Sequence, residues 1–278
     1  VLGRRENGYH DVRMVMQSVY LYDEVKIEKT EAPGITLASN LSFLPTGEGN
    51  IAYKAAKLLL EEFHIPAGVR ITLNKHIPVA AGLAGGSSNA AAVLFGMNRM
   101  FRLGLRQEEL MERGVRLGAD VPYCIMRGTV LAEGIGEELS VLPAMPKCTV
   151  LIAKPPVSVS TKVVYEALDA KEIAEHPDID GIIDGLEKHS LKQVAACMGN
   201  VLEDVTIPMH PVIEQIKREM KDAGALNAMM SGSGPTVFGL FESRAAAREA
   251  QLRLREKSLT RQVYGTSIHS ARRDQDAN

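Results

Sequence analysis

A glycine-rich segment at residues 75–90 has the residue types needed to bind a chain of phosphate groups. It reads Lys-His-Ile-Pro-Val-Ala-Ala-Gly-Leu-Ala-Gly-Gly-Ser-Ser-Asn-Ala and lies between a strand-like and a helix-like stretch. Glycine permits positive φ and a close approach of backbone to ligand, which we expect at Gly82, Gly85 and Gly86. The following helix offers free N–H groups and its positive dipole end. Ser87 and Ser88 add hydroxyl donors, or ligands for a phosphate-bound magnesium ion. The segment therefore predicts a polyphosphate site.

Common phosphate motifs do not fit this segment. A Walker A loop ends in Gly-Lys-Ser/Thr, whereas Ser87 directly follows Gly86. A Gly-x-Gly-x-x-Gly dinucleotide motif and the protein-kinase signature set are both absent from the sequence. Taken alone, the segment leaves a second interpretation open, a glycine-rich turn that enters a helix through a serine N-cap.

Other segments carry residue types that could act beside a phosphate. They are Asn7-Gly8-Tyr9-His10, Leu117-Gly118-Ala119-Asp120-Val121-Pro122, Pro156-Val157-Ser158-Val159-Ser160-Thr161 with the nearby Tyr165, and Ser231-Gly232-Ser233-Gly234-Pro235-Thr236-Val237-Phe238. By residue type alone, Asp120 also suits a turn or a helix cap. His10 and Tyr165 could equally be structural. Lys75 could touch a nucleotide or end a strand in solvent, and Asn50 suits a helix cap.

Together these segments resemble the GHMP kinases. Pro78 and Gly82-Leu83-Ala84-Gly85-Gly86-Ser87-Ser88 match the superfamily pattern Pro-x-x-x-Gly-Leu-x-Gly-Gly-Ser-Ser-Asn/Ala at every defined position. Residues 231–238 resemble its C-terminal glycine motif. Gly-Tyr-His together with Gly-Ala-Asp-Val-Pro is typical of the diphosphocytidyl-methylerythritol kinase family, rather than of mevalonate, homoserine or galactose kinases. The resemblance runs from about residue 7 to about residue 241.

The resemblance implies a role for each segment. ATP is the implied phosphate donor, with Mg²⁺ bridging its oxygens, and the protein ligands of the metal are left open. The implied nucleotide-binding residues are Pro78, Val79, Ala80, Ala81, Gly82, Leu83, Ala84, Gly85, Gly86, Ser87, Ser88 and Asn89, with Gly232, Ser233 and Gly234 close to the phosphates. Asp120 is the implied catalytic base. Around the cytidine, the implied substrate-binding residues are Tyr9, His10, Thr161 and Tyr165. The implied reaction is phosphoryl transfer to the 2-hydroxyl group of diphosphocytidyl-methylerythritol, in the non-mevalonate isoprenoid pathway.

One feature of the family does not occur in the printed residues. A Pro-Ala-Lys-Ile-Asn-Leu-type strand precedes Gly-Tyr-His in the family, and its lysine sits beside the catalytic aspartate. Here only Val1–Asn7 come before Gly8. We expect this lysine upstream of the printed sequence; otherwise the protein lacks a normal active site and is a ligand-binding homologue without turnover. Another GHMP kinase, for mevalonate or homoserine, is the remaining alternative.

Strands and helices are interspersed without a strict β-α-β order, which predicts an α+β fold. The predicted strands are Val25–Glu28, Val69–Leu73, Lys147–Ala153, Pro235–Phe241 and Gln262–Ser270. The predicted helices are Asn50–Phe63 with Asn50 as N-cap, Asn89–Met100, Gln107–Leu117, Ile179–Lys188, Leu191–Met198, Pro211–Asp222 and Arg244–Lys257. The Ala144–Pro146 stretch predicts a domain boundary. The resemblance identifies residues 1–146 as a nucleotide-binding N-terminal domain without its first strand, and 147–278 as a smaller α/β-sandwich C-terminal domain.

Composition narrows the class of protein. The 278 residues carry a formal net charge of −2, which argues against a general attraction to nucleic acid or an anionic membrane. No apolar run of about 18 residues is present, and no signal peptide is visible at the start. Three widely spaced cysteines fit neither a metal site nor a closed disulfide framework. We therefore expect a cytoplasmic enzyme with a small-molecule substrate and neither a nucleic-acid nor a membrane partner. The oligomeric state is left open.

Overall fold

The computed structural model of the chain describes residues 1–6, 8–169, 173 and 175–270. The helices within them are α1 Ile51–Glu62, α2 Gly85–Phe101, α3 Gln107–Val115, α4 Val121–Met126, α5 Thr161–Asp169, α6 Ile179–Glu187, α7 Leu191–Cys197, α8 Glu203–Met209, α9 Val212–Asp222 and α10 Arg244–Glu256. The strands are β1 Gly3–Arg4, β2 His10–Asp11, β3 Met14–Gln17, β4 Glu24–Thr30, β5 Ile35–Ser39, β6 Gly68–Asn74, β7 Thr129–Glu133, β8 Glu138–Val141, β9 Thr149–Lys154, β10 Asn227–Met230, β11 Val237–Phe241 and β12 Gln262–Ser267. They form sheets of order β1-β2, β3-β7-β8, β4-β6-β5 and β10-β11-β9-β12. This mixture confirms the predicted α+β class.

A three-stranded sheet and two helices frame the glycine-rich segment. Strand β6 pairs antiparallel with β4 and parallel with β5. The apolar residues of β6 alternate onto one buried face, as expected for a strand covered on one side: Val69, Ile71 and Leu73. Helices α1 and α2 contribute Leu59 and Leu94 to the same core. Because β6 leads into the segment and α2 follows it, this core fixes both ends of the segment.

The second large core lies against the sheet β10-β11-β9-β12. Strand β9 pairs antiparallel with both β11 and β12. Helices α9 and α10 cover the sheet with fully buried residues that include Ile216, Met220 and Leu254. The expected domain boundary at Ala144–Pro146 lies between β8 and β9 and stays a prediction.

The structure confirms the predicted helices and strands, with shifts of a few residues at their ends. The largest shift is in α2, which begins at Gly85 and not at Asn89. Helices α4, α5 and α8 and strands β1, β2, β3, β5, β7, β8 and β10 were not predicted. Two of these helices bear on the site, because α4 has Asp120 at its N-cap and α5 carries Tyr165. At 6 residues, α4 is too short to show a helical apolar period, and it starts with a proline-containing turn.

Asn7 and residues 271–278 lie outside the described residues. The three cysteines, Cys124, Cys148 and Cys197, are half-buried free thiols. None of the helices in the described part of the chain has both the length and the apolar character needed to cross a bilayer.

Candidate active site

The phosphate loop, which we define as residues 78–84, connects β6 to α2 with an unusual backbone. Gly82 has φ +67°, but Ala80 and Ala84 also have positive φ, at +50° each. The prediction of positive φ was wrong for Gly85 and Gly86, which lie in the first turn of α2. Gly85 serves packing instead, because a Cβ there would lie 2.9 Å from Cγ2 of Ile77. The two alanines hold a conformation that costs energy, so their surroundings must stabilise it.

Helix α2 presents an uncapped N-terminus. Its N-cap residue is Ala84, which has no side-chain acceptor for the N–H groups of the first turn. The alternative of a serine N-cap is therefore wrong, because Ser87 and Ser88 lie inside the helix. Free N–H groups and the dipole of a 17-residue helix form a site that suits an anion.

A cavity of about 360 Å³ lies above this helix end. Its lining includes most of the predicted nucleotide residues, namely Pro78, Val79, Ala80, Ala81, Gly82, Leu83, Ala84, Gly85, Gly86 and Asn89, together with Lys75 and Asp120. An apolar wall that the sequence did not reveal consists of Leu44, Pro45, Ile51 and Leu73. The cavity thus combines a wall suited to a flat ring with an end that is rich in N–H groups. Asn50, also in the lining, accepts from the N–H of Ala52 at 3.0 Å, which confirms its predicted capping role.

Asp120 reaches this cavity from a different part of the chain. It is the N-cap residue of α4, but its side chain makes no capping hydrogen bond. Burial raises the pKa of this carboxyl group above its ordinary value of 3.8. Burial raises the pKa of Cys124 to about 12 and also raises the pKa of Tyr165, and the negative charge of Asp120 adds to both shifts. Asp120 is therefore a desolvated carboxylate that is available to accept a proton.

The C-terminal glycine turn, residues 231–234, packs against the phosphate loop. The hydroxyl of Ser231 donates to the carbonyl of Gly82 at 2.7 Å. A Cβ on Gly82 would lie 2.3 Å from the carbonyl oxygen of Ser231, so only glycine fits this contact. Gly232 and Gly234 have φ of +56° and +88°. Gly232, Ser233 and Gly234 do not line the cavity itself, so the turn supports the loop from the side.

The predicted substrate residues form a second group. The rings of His10 and Tyr165 lie 4.6 Å apart at 41°. Nε2 of His10 is hydrogen-bonded to a carboxylate oxygen of Asp169 at 2.6 Å. Tyr9 is 56% exposed on the β1–β2 hairpin. The hydroxyl of Thr161 contacts that of Ser233 at 2.9 Å, which links this group to the glycine turn.

Asp169 was missed by the sequence analysis, and no sequence signal pointed to it. It lies 159 residues from His10 and approaches it only through the packing of α5 against the hairpin. Arg4 also contacts Asp169, at 3.2 Å. This ion pair fixes the carboxylate that orients the imidazole ring of His10.

Comparisons with known proteins agree with this geometry. A model of the GHMP kinases N terminal domain matches residues 50–128, and a model of the GHMP kinases C terminal matches residues 182–258. A 4-diphosphocytidyl-2-C-methyl-D-erythritol kinase of Lachnospira eligens is 57% identical over 266 residues, which cover 96% of this chain and 92% of the relative.

Solved structures show the same similarity. A crystal structure of 4-(cytidine 5'-diphospho)-2C-methyl-D-erythritol kinase is 30% identical with a TM-score of 0.81, covering 96% of this chain and 94% of that chain. A homoserine kinase from Cytophaga hutchinsonii, 24% identical with a TM-score of 0.78, covers 91% of this chain and 89% of its own, and shares the fold.

Proposed function

Because this chain belongs to the 4-diphosphocytidyl-2-C-methyl-D-erythritol kinase family of the GHMP kinases, we propose that it transfers the γ-phosphoryl group of ATP to the 2-hydroxyl group of 4-diphosphocytidyl-2-C-methyl-D-erythritol. This reaction belongs to the non-mevalonate route to isoprenoid precursors. One observation carries the proposal: the uncapped N-terminus of α2 and the half-buried carboxylate of Asp120 face the same cavity. The phosphates of ATP can thus bind next to Asp120, which can accept the proton of the acceptor's hydroxyl group.

The nucleotide lies along the phosphate loop in this proposal. Backbone N–H groups at the start of α2 bind the phosphate oxygens, and the helix dipole favours their negative charge. The apolar wall of Leu44, Ile51 and Leu73 contacts the adenine ring of ATP. The glycine turn at 231–234 acts through Gly82, whose carbonyl accepts from Ser231. Positioning of the triphosphate is the main contribution of these residues to catalysis.

Oxygen donors near the helix end fit a magnesium ion that arrives with ATP. Mg²⁺ prefers oxygen ligands and commonly keeps several waters and substrate phosphates in its shell. Asp120 lines the cavity, whereas Ser87 and Ser88 lie in the first turns of α2 outside its lining; their carboxylate and hydroxyl oxygens would hold the ion. Within the described part of the chain, no group of three or more His, Cys, Asp or Glu is placed to hold a metal alone. Bound magnesium would offset charge on the transferring phosphoryl group.

Asp120 acts as the general base. Its carboxylate accepts the proton of the 2-hydroxyl group as the oxygen attacks the γ-phosphorus in line and ADP leaves. Burial raises the pKa of the group, which makes the carboxylate a stronger base than an exposed aspartate. On the acceptor side, the neighbouring rings of His10 and Tyr165, tilted by 41° to each other, contact the cytosine base, with Tyr9 and Thr161 at the edge of the site.

The proposed function predicts a clear preference among acceptors. We expect the full-length gene product to consume ATP with 4-diphosphocytidyl-2-C-methyl-D-erythritol at a kcat/KM about 100-fold or more above that with mevalonate or homoserine, because only the first fills the base site. The measurement is ADP release with each acceptor. If the rate with mevalonate or homoserine were comparable to that with the cytidine substrate, the proposed substrate would be wrong and the protein would act as another GHMP kinase. Nucleotide binding with no turnover of any acceptor would favour a catalytically silent homologue.

Tyr165→Ala is expected to weaken binding of the cytidine half of the substrate. Stacking of a base on an aromatic side chain is worth about 1–3 kcal/mol, so KM for this substrate should rise about 5- to 150-fold. The KM for ATP should change little, because Tyr165 belongs to the His10 group and not to the cavity lining. Steady-state kinetics with each substrate varied in turn measure both values.

Tyr165→Phe is the matched control, because it keeps the ring that stacks and removes only the hydroxyl. Its KM for the cytidine substrate should stay within about twofold of that of the unchanged protein. Tyr165 packs against the core of the β9 sheet, so the melting temperature of both variants must be followed. An unchanged KM in a folded Tyr165→Ala protein would remove the base-stacking role.

A further inference from the structure

A buried ion pair beneath the phosphate loop is not explained by the proposed chemistry. The side chain of Asp23 has 0% exposure, and its partner Lys75 has 4%. One carboxylate oxygen of Asp23 accepts from the backbone N–H groups of His76 and Ile77, at 2.7 and 2.8 Å. The other accepts from Nζ of Lys75 and from Nδ2 of Asn89, the latter at 2.9 Å. Taken together, the two oxygens therefore have partners before the phosphate loop, at residues 75–77, and after it, at Asn89.

Lys75 extends this network into α2. Its Nζ donates to Oδ1 of Asn89 at 2.9 Å and lies 3.5 Å from the carbonyl oxygen of Gly85. Its backbone is held as well: the N–H donates to Asn40 at 2.8 Å, and the carbonyl accepts from the Asn40 amide at 3.2 Å. The entry to the phosphate loop and the first turns of α2 thus share one set of hydrogen bonds. We call Asp23, Lys75 and Asn89 the anchor cluster.

The charges in the anchor cluster compensate each other. A buried cation and a buried anion in direct contact leave no net charge to attract phosphate. Lys75 has its ammonium group directed at Asp23, Asn89 and Gly85. The contribution of the cluster to nucleotide binding is therefore geometric.

The backbone of the phosphate loop is strained, so contacts on both sides of the loop are needed to hold its conformation. Ala80 and Ala84 hold positive φ without the freedom of glycine. Such conformations persist only where the surrounding structure enforces them. Asp23 fixes residues 76–77 just before the loop, and through Lys75 and Asn89 it fixes the helix just after it. On the opposite side the loop is held by Ser231.

We propose that Asp23 is a positioning residue for the nucleotide: through the anchor cluster it holds both ends of the phosphate loop so that the N–H groups of α2 meet the triphosphate. The proposal rests on the proposed function for the site but not on the identity of the acceptor. Asp23 acts through Lys75, Asn89 and the backbone, without touching the nucleotide itself.

The test compares three variants of the full-length protein. Asp23→Asn keeps the shape but removes one acceptor oxygen. The double variant Asp23→Leu with Lys75→Met replaces both buried charges by apolar side chains, which proteins often tolerate with little loss of stability. Glu62→Gln is the matched control, because it removes the negative charge of the ion pair between Glu62 and Arg113, which joins α1 to α3 outside the cavity lining.

For Asp23→Asn and for the double variant, we expect KM for ATP and the Kd of Mg-ADP to rise about 10- to 100-fold, the range that a small misplacement of binding groups produces. The KM for the acceptor should stay within about twofold. Amide hydrogen exchange in residues 78–84 should accelerate at temperatures where the protein is folded. Glu62→Gln should change none of these quantities.

The readouts separate positioning from stability. A purely structural loss lowers the active fraction, and with it the apparent kcat, but leaves KM for ATP unchanged. A folded double variant with the original KM for ATP and Kd for Mg-ADP would overturn the proposal, even if Asp23→Asn fails to fold. Since Mg-ADP binding needs no acceptor, this result stands whichever acceptor the enzyme uses.

Discussion

Asp120→Asn is expected to lower kcat by about 10²–10⁴-fold, the usual contribution of a general base. The amide has the size of the carboxylate but cannot accept the proton of the attacking hydroxyl group. KM values for ATP and for the acceptor should change much less, because binding does not require the proton transfer. Single-turnover and steady-state rates of the full-length variant give the comparison. A variant with more than about a tenth of the original kcat would show that Asp120 is not the base.

The same substitution is expected to stabilise the fold near neutral pH. Burial raises the pKa of Asp120 in the folded state above its unfolded value, so folding disfavours the carboxylate. Stability from this group is present below the unfolded pKa and is lost as the pH rises through the folded pKa. Asp120→Asn should thus raise the melting temperature at pH 7, and the gain should disappear at acidic pH.

A matched control and a pH profile complete this prediction. Glu112→Gln makes the same carboxylate-to-amide change at an exposed position in the middle of α3 and should leave both kcat and the melting temperature unchanged. For the unchanged protein, kcat/KM should fall on the acid side at a pH above 3.8, because Asp120 must be ionised to act. If Asp120→Asn had a lower melting temperature than the unchanged protein at pH 7, the conclusion that folding desolvates the Asp120 carboxylate would be wrong.

Gly86→Asp is expected to weaken ATP binding by about 10²-fold or more, since like charges in close contact cost several kcal/mol. Gly86 lines the cavity in the first turn of α2. A Cβ there meets only Cγ2 of Ile51, at an ordinary 3.6 Å. The added carboxylate should stabilise the helix by about 0.3–1 kcal/mol through the dipole. Binding and stability should therefore move in opposite directions, which titration calorimetry and thermal unfolding can measure.

Gly86→Asn separates charge from size in this experiment. The side chain has the same shape without the charge, so ATP affinity should fall much less than with aspartate, and only the aspartate effect should weaken at high salt. Gly85 is unsuitable for this purpose, because a side chain there would collide with Ile77. If the unchanged protein, Gly86→Asp and Gly86→Asn all bound ATP equally well, the phosphates would not bind at the start of α2.

Short-range features of this protein are determined by the sequence. The elements around the phosphate loop were predicted because strand alternation in β6 and helical spacing in α2 are local patterns. The phosphate loop itself is one continuous segment, so its residues could be named without knowledge of the fold. The matched N- and C-terminal domain models agree with the two-domain GHMP kinase fold that the motifs imply.

The backbone conformation of the phosphate loop was predicted less well than the position of the loop in the sequence. Positive φ was expected at Gly85 and Gly86, but it occurs at Ala80 and Ala84. A glycine shows where positive φ is inexpensive, whereas the surrounding contacts decide where it is used. Gly85, where α2 begins, is packed so closely against Ile77 and Lys75 that a Cβ would lie 2.9 and 3.4 Å from them, and no local pattern contains that packing.

Only the tertiary structure decided which distant groups meet. Asp23 and Asn89 are 66 residues apart, Gly82 and Ser231 are 149 apart, and His10 and Asp169 are 159 apart. The raised pKa of Asp120 has the same origin, because desolvation is a property of everything packed around the carboxylate. Sequence periodicity records which face of an element is buried, but not which partner covers it. For this protein the sequence therefore determines the residues of the phosphate site, and the folded chain determines how they are held in place.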